Sequence, residues 1–183
     1  MSNVIWITGL SAAGKTTLGR LLVKALQDQG MAAILLDGDE LRNALAAKSN
    51  HTASARLDLA YKYSRLANLI ASQGVTVVVS TVALFHTIHQ WNRENINGYF
   101  EVCLKVPIEE LKRRDPKGIY TLYEKGLLTD VAGLDMKVEE PQCPDLLIEF
   151  HPDVGPEEVL AELMGALKTK RPTFGPVFNR NSR

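Results

Sequence analysis

Apolar and polar residues follow two alternating patterns along most of the chain. Short apolar runs predict β-strands at 3–8, 33–36, 75–79, 99–106 and 146–150. Between these runs, apolar residues recur at helical spacing; Leu59, Tyr63 and Leu66, for example, are separated by four and three residues. This spacing predicts helices at 15–29, 39–47, 56–73, 86–96, 107–113 and 156–167, with a polar loop at 48–55.

The order of these elements predicts how the sheet is built. Parallel strands need a crossover connection, and a helix is the usual one. The run at 75–79 is β-branched throughout and apolar on both sides, as expected for a strand covered on both faces. We therefore predict an α/β fold, with a parallel sheet of about five strands and helices on both faces.

The stretch between the fourth and fifth predicted strands differs from the rest. Residues 115–144 are rich in polar residues and glycines and show no clear strand, and long connections of this kind often cover active sites. We predict a lid at about 114–140, within a single domain that spans residues 1–167. Residues 168–183 are rich in Lys and Arg, which predicts a basic, partly disordered tail.

Composition narrows the class of function. The 183 residues include 21 Lys plus Arg and 21 Asp plus Glu, so the chain lacks the net positive charge typical of nucleic-acid-binding proteins. No apolar stretch approaches the roughly 20 residues of a membrane helix. The N-terminal apolar run lacks the basic segment of a signal peptide, and two cysteines cannot form a disulfide framework. We expect a cytoplasmic protein without nucleic-acid or membrane partners.

A glycine-rich loop connects the first predicted strand to the first predicted helix. Residues 9–16 match G-x-x-x-x-G-K-[ST], a loop whose backbone N–H groups bind nucleotide phosphates at a helix N-terminus. Lys15 suits the β- and γ-phosphate oxygens, and the Thr16 hydroxyl suits Mg²⁺. We predict ATP and Mg²⁺ as cofactors, Lys15 as a catalytic residue, and nucleotide binding by Gly9, Ser11, Ala12, Ala13, Gly14, Lys15, Thr16 and Thr17.

Two carboxylates follow the second predicted strand, at the edge where ligands bind in open α/β sheets. Asp37 and Asp39 are separated by one glycine. Beside a γ-phosphate, one carboxylate can hold Mg²⁺ and the other can accept the proton of an attacking hydroxyl. We assign the metal to Asp37 with Thr16, and the role of catalytic base to Asp39. Arg42 and Arg56 are candidates for binding a phosphate of the acceptor.

Other classes of P-loop protein fit less well. A GTPase needs Asn-Lys-x-Asp to recognise guanine, and the chain contains no Asn-Lys pair. A motor ATPase or a transporter subunit would need a longer chain. Among the classes of P-loop protein, we therefore predict a small kinase.

Taken in order, the motifs resemble the adenylylsulfate kinase family. They are the loop at 9–16, Leu36-Asp37-Gly38-Asp39-x-Leu41-Arg42, Arg114-Asp115-Pro116-Lys117-Gly118-Ile119-Tyr120, and Gly133-Leu134-Asp135. The resemblance covers about residues 3–150 and implies an ATP-dependent kinase that acts on a nucleotide 3′-hydroxyl, usually as a homodimer. It also implies that Arg114 is the lid arginine, which contacts the nucleotide and the transferring phosphoryl group, and that Lys117, Gly118 and Ile119 contact the acceptor.

Several positions on the acceptor side depart from the family pattern. Leu59 stands at the position of an acceptor-binding asparagine, and Val131 at that of a phenylalanine that stacks on the acceptor's adenine. After the third strand, Ala83-Leu84-Phe85-His86 replaces Ser-Pro-Tyr-Arg, which makes Phe85 a candidate acceptor contact. The resemblance implies one of two acceptors: adenylylsulfate, or cytidine diphosphoramidate, the substrate of a branch of the family that serves capsular polysaccharide modification. A degenerate kinase that senses nucleotide, or a kinase for a sugar acid, is a further alternative.

Overall fold

Five parallel strands form one sheet in the computed structural model, which describes residues 3–46 and 52–170. The sheet order is β2-β3-β1-β4-β5, and all residues of the third strand are buried. The predicted α/β fold with a five-stranded parallel sheet is confirmed. The strands are β1 (Asn3–Thr8), β2 (Ala33–Asp37), β3 (Thr76–Ser80), β4 (Tyr99–Lys105) and β5 (Leu146–Glu149).

Helices cover both faces of this sheet. They are α1 (Lys15–Asp28), α2 (Gly38–Ala44), α3 (Ala53–Ala71), α4 (His86–Asn95), α5 (Ile108–Arg114), α6 (Ile119–Glu124) and α7 (Pro156–Lys170). Alternate residues of β1 point to opposite faces. Ile5 and Ile7 therefore join the core under α1 and α7, whereas Val4 and Trp6 join the core under α3 and α4. Within residues 3–46 and 52–170, no helix is long and apolar enough to cross a bilayer.

The strand register brings the candidate residues to one edge of the sheet. Ser80, at the end of β3, pairs with Asp37 of β2 on one side and with Ile7 of β1 on the other. The glycine-rich loop and the carboxylate pair therefore begin at the same carboxyl edge. This is the edge at which ligands bind in open α/β sheets.

Several helix bounds differ from the predicted ones. The third helix begins at Ala53 rather than at residue 56, because the Thr52 hydroxyl caps it by accepting from the Ala55 N–H at 3.4 Å. The last helix continues to Lys170, whose ammonium binds the Asp145 carboxylate at 3.0 Å. The rest of the predicted tail, and residues 48–51 of the predicted loop at 48–55, lie outside the described residues.

The lid contains a helix that the sequence pattern did not predict. Asp115 initiates α6, because its carboxylate accepts from the Tyr120 N–H at 3.2 Å and from the Thr121 N–H at 2.9 Å. Tyr120 is buried against the rest of the domain. The segment predicted as a lid is therefore folded, and Tyr120 packs it against the core.

Candidate active site

The loop at 9–16 depends on the conformation of two glycines. Gly9 has a φ of +149°, and a Cβ at this position would lie 2.6 Å from the carbonyl oxygen of Leu104. Gly14 has a φ of +96° and caps the N-terminus of α1. A side chain at either position would strain the backbone. The lid also contacts this loop, because the Tyr120 hydroxyl donates to the Ser11 carbonyl at 3.0 Å.

Lys15 lies at the start of α1 and is turned back onto its own loop. Its ammonium donates to the carbonyl oxygen of Leu10 at 2.6 Å. Burial, and to a smaller extent the nearby Lys117, lower the pKa of Lys15 to about 8, whereas Asp39 and Asp37 act in the opposite direction. A bound phosphate would favour the charged ammonium and would replace the contact with Leu10.

Thr16 and Asp37 bring two oxygen ligands together. The Thr16 hydroxyl donates to the Asp37 Oδ2 at 2.6 Å, and the Asp37 Oδ1 accepts from the Asp39 N–H at 3.0 Å. A hydroxyl and a carboxylate suit Mg²⁺, which usually takes one or two protein ligands and completes its shell with phosphates and water. Within the described residues, no group of three or more His, Cys, Asp or Glu could hold a metal ion. The pair therefore fits a magnesium ion shared with a nucleotide.

Asp39 faces the lid. Its side chain is 65% exposed and forms an ion pair with Lys117. The contact joins the candidate base to the lid motif that the sequence singled out. Lys117 also lowers the pKa of Lys15. The loop at 9–16 (called the donor loop below), the carboxylate pair and the lid therefore interact electrostatically.

A cavity of about 980 Å³ separates the sheet edge from the lid. Its volume is at the upper end of the usual range for ligand sites. Three predicted site residues do not line it: Gly9 packs against Leu104, Ala13 lines a neighbouring cavity, and Gly118 caps α6. The cavity brings together the other predicted residues: Ser11, Ala12, Gly14, Lys15, Thr16, Thr17, Asp37, Asp39, Arg42, Arg56, Phe85, Arg114, Lys117 and Ile119.

The cavity wall is aliphatic at two of the positions that depart from the family pattern. Leu59 and Val131 are both buried, and both line the cavity. Beside them, the Arg56 guanidinium donates to the Asp130 carbonyl at 2.6 Å. Burial, and then the neighbouring Arg42, lower the pKa of Arg56. This wall thus combines aliphatic surface with two guanidiniums.

The end of the lid is hydrogen-bonded to the start of α4. The His86 N–H donates to the Glu139 carboxylate at 2.8 Å, and the Glu139 N–H donates to the Leu84 carbonyl at 3.0 Å. The His86 Nε2 lies 2.9 Å from the carbonyl oxygen of Glu140. These contacts hold Phe85 at the cavity wall, where the sequence predicted an acceptor contact.

A second cavity, of about 230 Å³, lies on the other side of the loop, and Arg114 lines both cavities. The Arg114 Nε donates to the Glu110 carboxylate at 2.7 Å, and its Nη1 donates to the Ala12 carbonyl at 3.4 Å. Its guanidinium carbon lies 4.9 Å from the centroid of the Phe150 ring. The Arg114 guanidinium therefore lies between the loop at 9–16 and the ring of Phe150.

Sequence reasoning left three site contacts unassigned. The Tyr63 hydroxyl donates to the Gly38 carbonyl at 2.9 Å, and the Ser80 hydroxyl donates to the Lys15 carbonyl at 2.9 Å. The third is the bond from Tyr120 to the donor loop. Tyr63 could have been found, because it follows Arg56 by two helical turns and therefore faces the same cavity.

Comparisons with known proteins agree with this geometry. The family model described as adenylylsulphate kinase matches residues 1–149. The cytidine diphosphoramidate kinase of Campylobacter jejuni is 36% identical over 145 residues, covering 79% of this chain and 84% of that relative. The adenylyl-sulfate kinase of Pseudomonas aeruginosa is 32% identical over 171 residues, covering 92% and 87%.

A solved structure extends the similarity to the whole fold. The APS kinase CysC of Mycobacterium tuberculosis, in complex with AMPPNP and APS, superposes with a TM-score of 0.84 at 31% identity. The match covers 91% of this chain and 98% of that one. The loop, the carboxylate pair and the lid motif all fall within the range matched by the family model. The chain belongs to the adenylylsulphate kinase family.

Proposed function

We propose that this chain is an ATP-dependent kinase that transfers the γ-phosphate to the 3′-hydroxyl of a nucleotide, as an adenylylsulfate kinase does. The observation that carries the proposal is a single cavity lined by the phosphate-binding loop, by Asp37 and Asp39, and by Arg42 and Arg56. A nucleotide sensor would need only the loop. The acidic pair and the guanidiniums supply a second site, suited to an anionic acceptor that carries a hydroxyl.

On the donor side, the residues bind and orient the phosphates. The loop N–H groups and the Lys15 ammonium hold the β- and γ-phosphates, while Thr16 and Asp37 hold the metal. When bound, Mg²⁺ neutralises charge on the phosphate oxygens. We place the adenine of ATP in the 230 Å³ cavity, because the Arg114 guanidinium and the Phe150 ring provide flat surfaces there.

On the acceptor side, Asp39 accepts the proton of the 3′-hydroxyl while the hydroxyl oxygen bonds to the γ-phosphorus and the bond to the β-phosphate oxygen breaks. Asp39 must first exchange its ion pair with Lys117 for the acceptor hydroxyl. The released ammonium can then neutralise charge on the transferring group. Arg42 and Arg56 bind the acceptor's phosphates. We also propose that the chain forms a homodimer, as the resemblance implies.

Cytidine diphosphoramidate is the second candidate acceptor, favoured by the aliphatic wall. Stacking of a base on an aromatic ring contributes about 1–3 kcal/mol. Leu59 and Val131 offer no such ring, and a pyrimidine loses less than adenine because it has less ring surface to cover. The similarity to a relative named cytidine diphosphoramidate kinase supports the same acceptor.

Coupled ADP release with Mg·ATP would test both candidates. Adenylylsulfate and cytidine diphosphoramidate are compared at equal concentration, with a reaction lacking acceptor and with Lys15→Ala as controls. We expect ADP release that requires an acceptor, and a preference of about a hundredfold in kcat/KM would correspond to about 2.7 kcal/mol. Nucleotide binding without acceptor-dependent release would contradict the proposal and favour a sensor. Phosphorylation of a sugar acid alone would assign a different acceptor class.

A further inference from the structure

The turn between Asp37 and Asp39 sets the distance between the carboxylate proposed to hold the metal, Asp37, and the proposed catalytic base, Asp39. The Asp37 carboxylate is held by the Thr16 hydroxyl at 2.6 Å and by the Asp39 N–H at 3.0 Å. The turn also packs against the end of β3, because a Cβ added to Gly38 would lie 3.1 Å from the Thr81 hydroxyl. A further contact is made through the Gly38 carbonyl, in the middle of the turn.

Tyr63 makes that contact from the neighbouring helix. Its hydroxyl donates to the Gly38 carbonyl at 2.9 Å, and its side chain is buried at the cavity wall. Burial raises the pKa of Tyr63 to about 12, so the hydroxyl stays a donor at neutral pH. The bond links α3, which carries Arg56, to the turn that carries both carboxylates.

The ring and the hydroxyl of Tyr63 make different contributions. The ring belongs to the apolar cluster that contains Leu41, Leu59 and Val79, and this packing explains a large aromatic residue at the position. It does not explain the hydroxyl, because burial of a phenolic hydroxyl is unfavourable without a hydrogen bond. Phenylalanine would preserve the packing. The hydroxyl therefore contributes through its bond to Gly38.

We infer that Tyr63 is a positioning residue for the proposed phosphoryl transfer, because its hydroxyl holds the Gly38 carbonyl and so places Asp39 relative to Asp37. The inference rests on the proposed function. Once Asp39 exchanges its ion pair with Lys117 for the acceptor hydroxyl, the position of its side chain, which is 65% exposed, depends on the backbone that carries it. Loss of the bond displaces the base, while Lys15 and Thr16 continue to bind the phosphates of ATP.

Tyr63→Phe tests the inference, and Tyr120→Phe is its matched control. Both residues are buried tyrosines whose hydroxyl donates to a backbone carbonyl, one in the acceptor-side turn and the other in the donor loop. We expect Tyr63→Phe to lower kcat about tenfold and to change the KM for ATP by less than about twofold, because small displacements of a reacting group reduce rates strongly. Tyr120→Phe should instead raise the KM for ATP. A purely structural role would produce the same kinetic change in both variants.

Amide hydrogen exchange gives a second readout that needs no catalysis. The Asp39 N–H, bonded to the Asp37 carboxylate, should exchange about tenfold faster in Tyr63→Phe and at the wild-type rate in Tyr120→Phe, since one hydrogen bond stabilises the turn locally. An unchanged exchange rate together with an unchanged kcat would overturn the inference. If the wild-type chain phosphorylates no nucleotide, the proposed function fails, and the exchange rate alone decides whether Tyr63 holds the turn.

Discussion

The donor and acceptor halves of the site are built in different ways. The donor half is a continuous segment, residues 9–16, in which backbone groups and two glycines define the shape. The acceptor half is assembled from side chains on separate elements: Arg42 on α2, Leu59 on α3, Phe85 before α4 and Val131 in the lid. In the proposed function, the first half binds the phosphates that every ATP molecule carries, and the second half must match one particular acceptor.

This difference explains how the two halves can change independently. A substitution in the donor loop alters the backbone that all ATP-dependent turnover requires. A substitution at Leu59 or Val131 changes only a side chain at the cavity wall, while the loop is held by its own contacts with Leu104 and Tyr120. Acceptor preference can therefore shift without loss of ATP binding.

Asp39→Asn should abolish most of the phosphoryl transfer. The substitution keeps the size of the side chain and removes its ability to accept a proton. We expect kcat to fall by about 10²- to 10⁴-fold, the usual contribution of a general base. Binding of AMPPNP should stay within about threefold of the wild-type value, because Lys15 and Thr16 are unchanged. Single-turnover kinetics and calorimetry would measure the two quantities.

Asp58→Asn is the matched control for this variant. Asp58 is an exposed aspartate on α3, outside the cavity lining, and its substitution removes the same charge. We expect its kcat to match that of the wild-type chain. Equal losses in both variants would show that net charge, rather than proton transfer at Asp39, controls the rate.

Val131→Phe should shift acceptor preference towards adenine. The new ring would face the acceptor from the lid and restore an aromatic surface at a cavity position that is now aliphatic. We expect kcat/KM for adenylylsulfate to rise relative to cytidine diphosphoramidate by about tenfold to a hundredfold, in line with 1–3 kcal/mol of stacking. Competition between the two acceptors in a single reaction would measure the ratio.

Val131→Leu adds volume at the same position without an aromatic face. Its preference ratio should stay close to that of the wild-type chain. If leucine and phenylalanine shift the ratio equally, the size of the cavity selects the acceptor, and stacking does not.

The strands and the glycine-rich loop could be predicted from the sequence more fully than the contacts between separate elements, for the same structural reason. The five strands, the loop and the pair Asp37 and Asp39 depend on local patterns, so their place at one sheet edge follows from the topology. The helix α6 depends on hydrogen bonds from its first turn to the Asp115 carboxylate, and the contacts of Tyr63 and Tyr120 join residues distant in sequence. Such contacts leave no periodic signal.

The position of Arg114 illustrates the same limit. The motif placed this arginine in the lid, but its orientation depends on its bond to Glu110 and on its stacking with Phe150. Phe150 follows the last strand, 36 residues later in the chain (150 − 114), so no local pattern relates the two. The tertiary structure alone shows that the guanidinium lies between two cavities.

The smallest predicted effect concerns pH, and it is confined to the donor half. Lys15 has a pKa of about 8 in the folded chain, so it loses its charge as the pH rises from 7 to 9. Bound phosphate favours the charged form, so the Kd for AMPPNP should rise about tenfold over this range, as the charged fraction falls to about one tenth. Lys15→Met should bind weakly at both pH values and show no such rise. Isothermal titration calorimetry would measure both chains.

As the pH rises, the affinity for AMPPNP should fall, whereas the free energy of unfolding should increase. The unfolded chain keeps the Lys15 proton up to its ordinary pKa of 10.5, so between pH 8 and 10.5 the unfolded state binds more protons than the folded state. The free energy of unfolding of the ligand-free wild type should therefore rise with pH in this window relative to Lys15→Met. If the free energy of unfolding of the wild type and of Lys15→Met changes equally with pH, Lys15 is not the titrating group. Weaker binding together with greater stability between pH 8 and 9, where the two windows overlap, would identify the buried ammonium as the group that both measurements report.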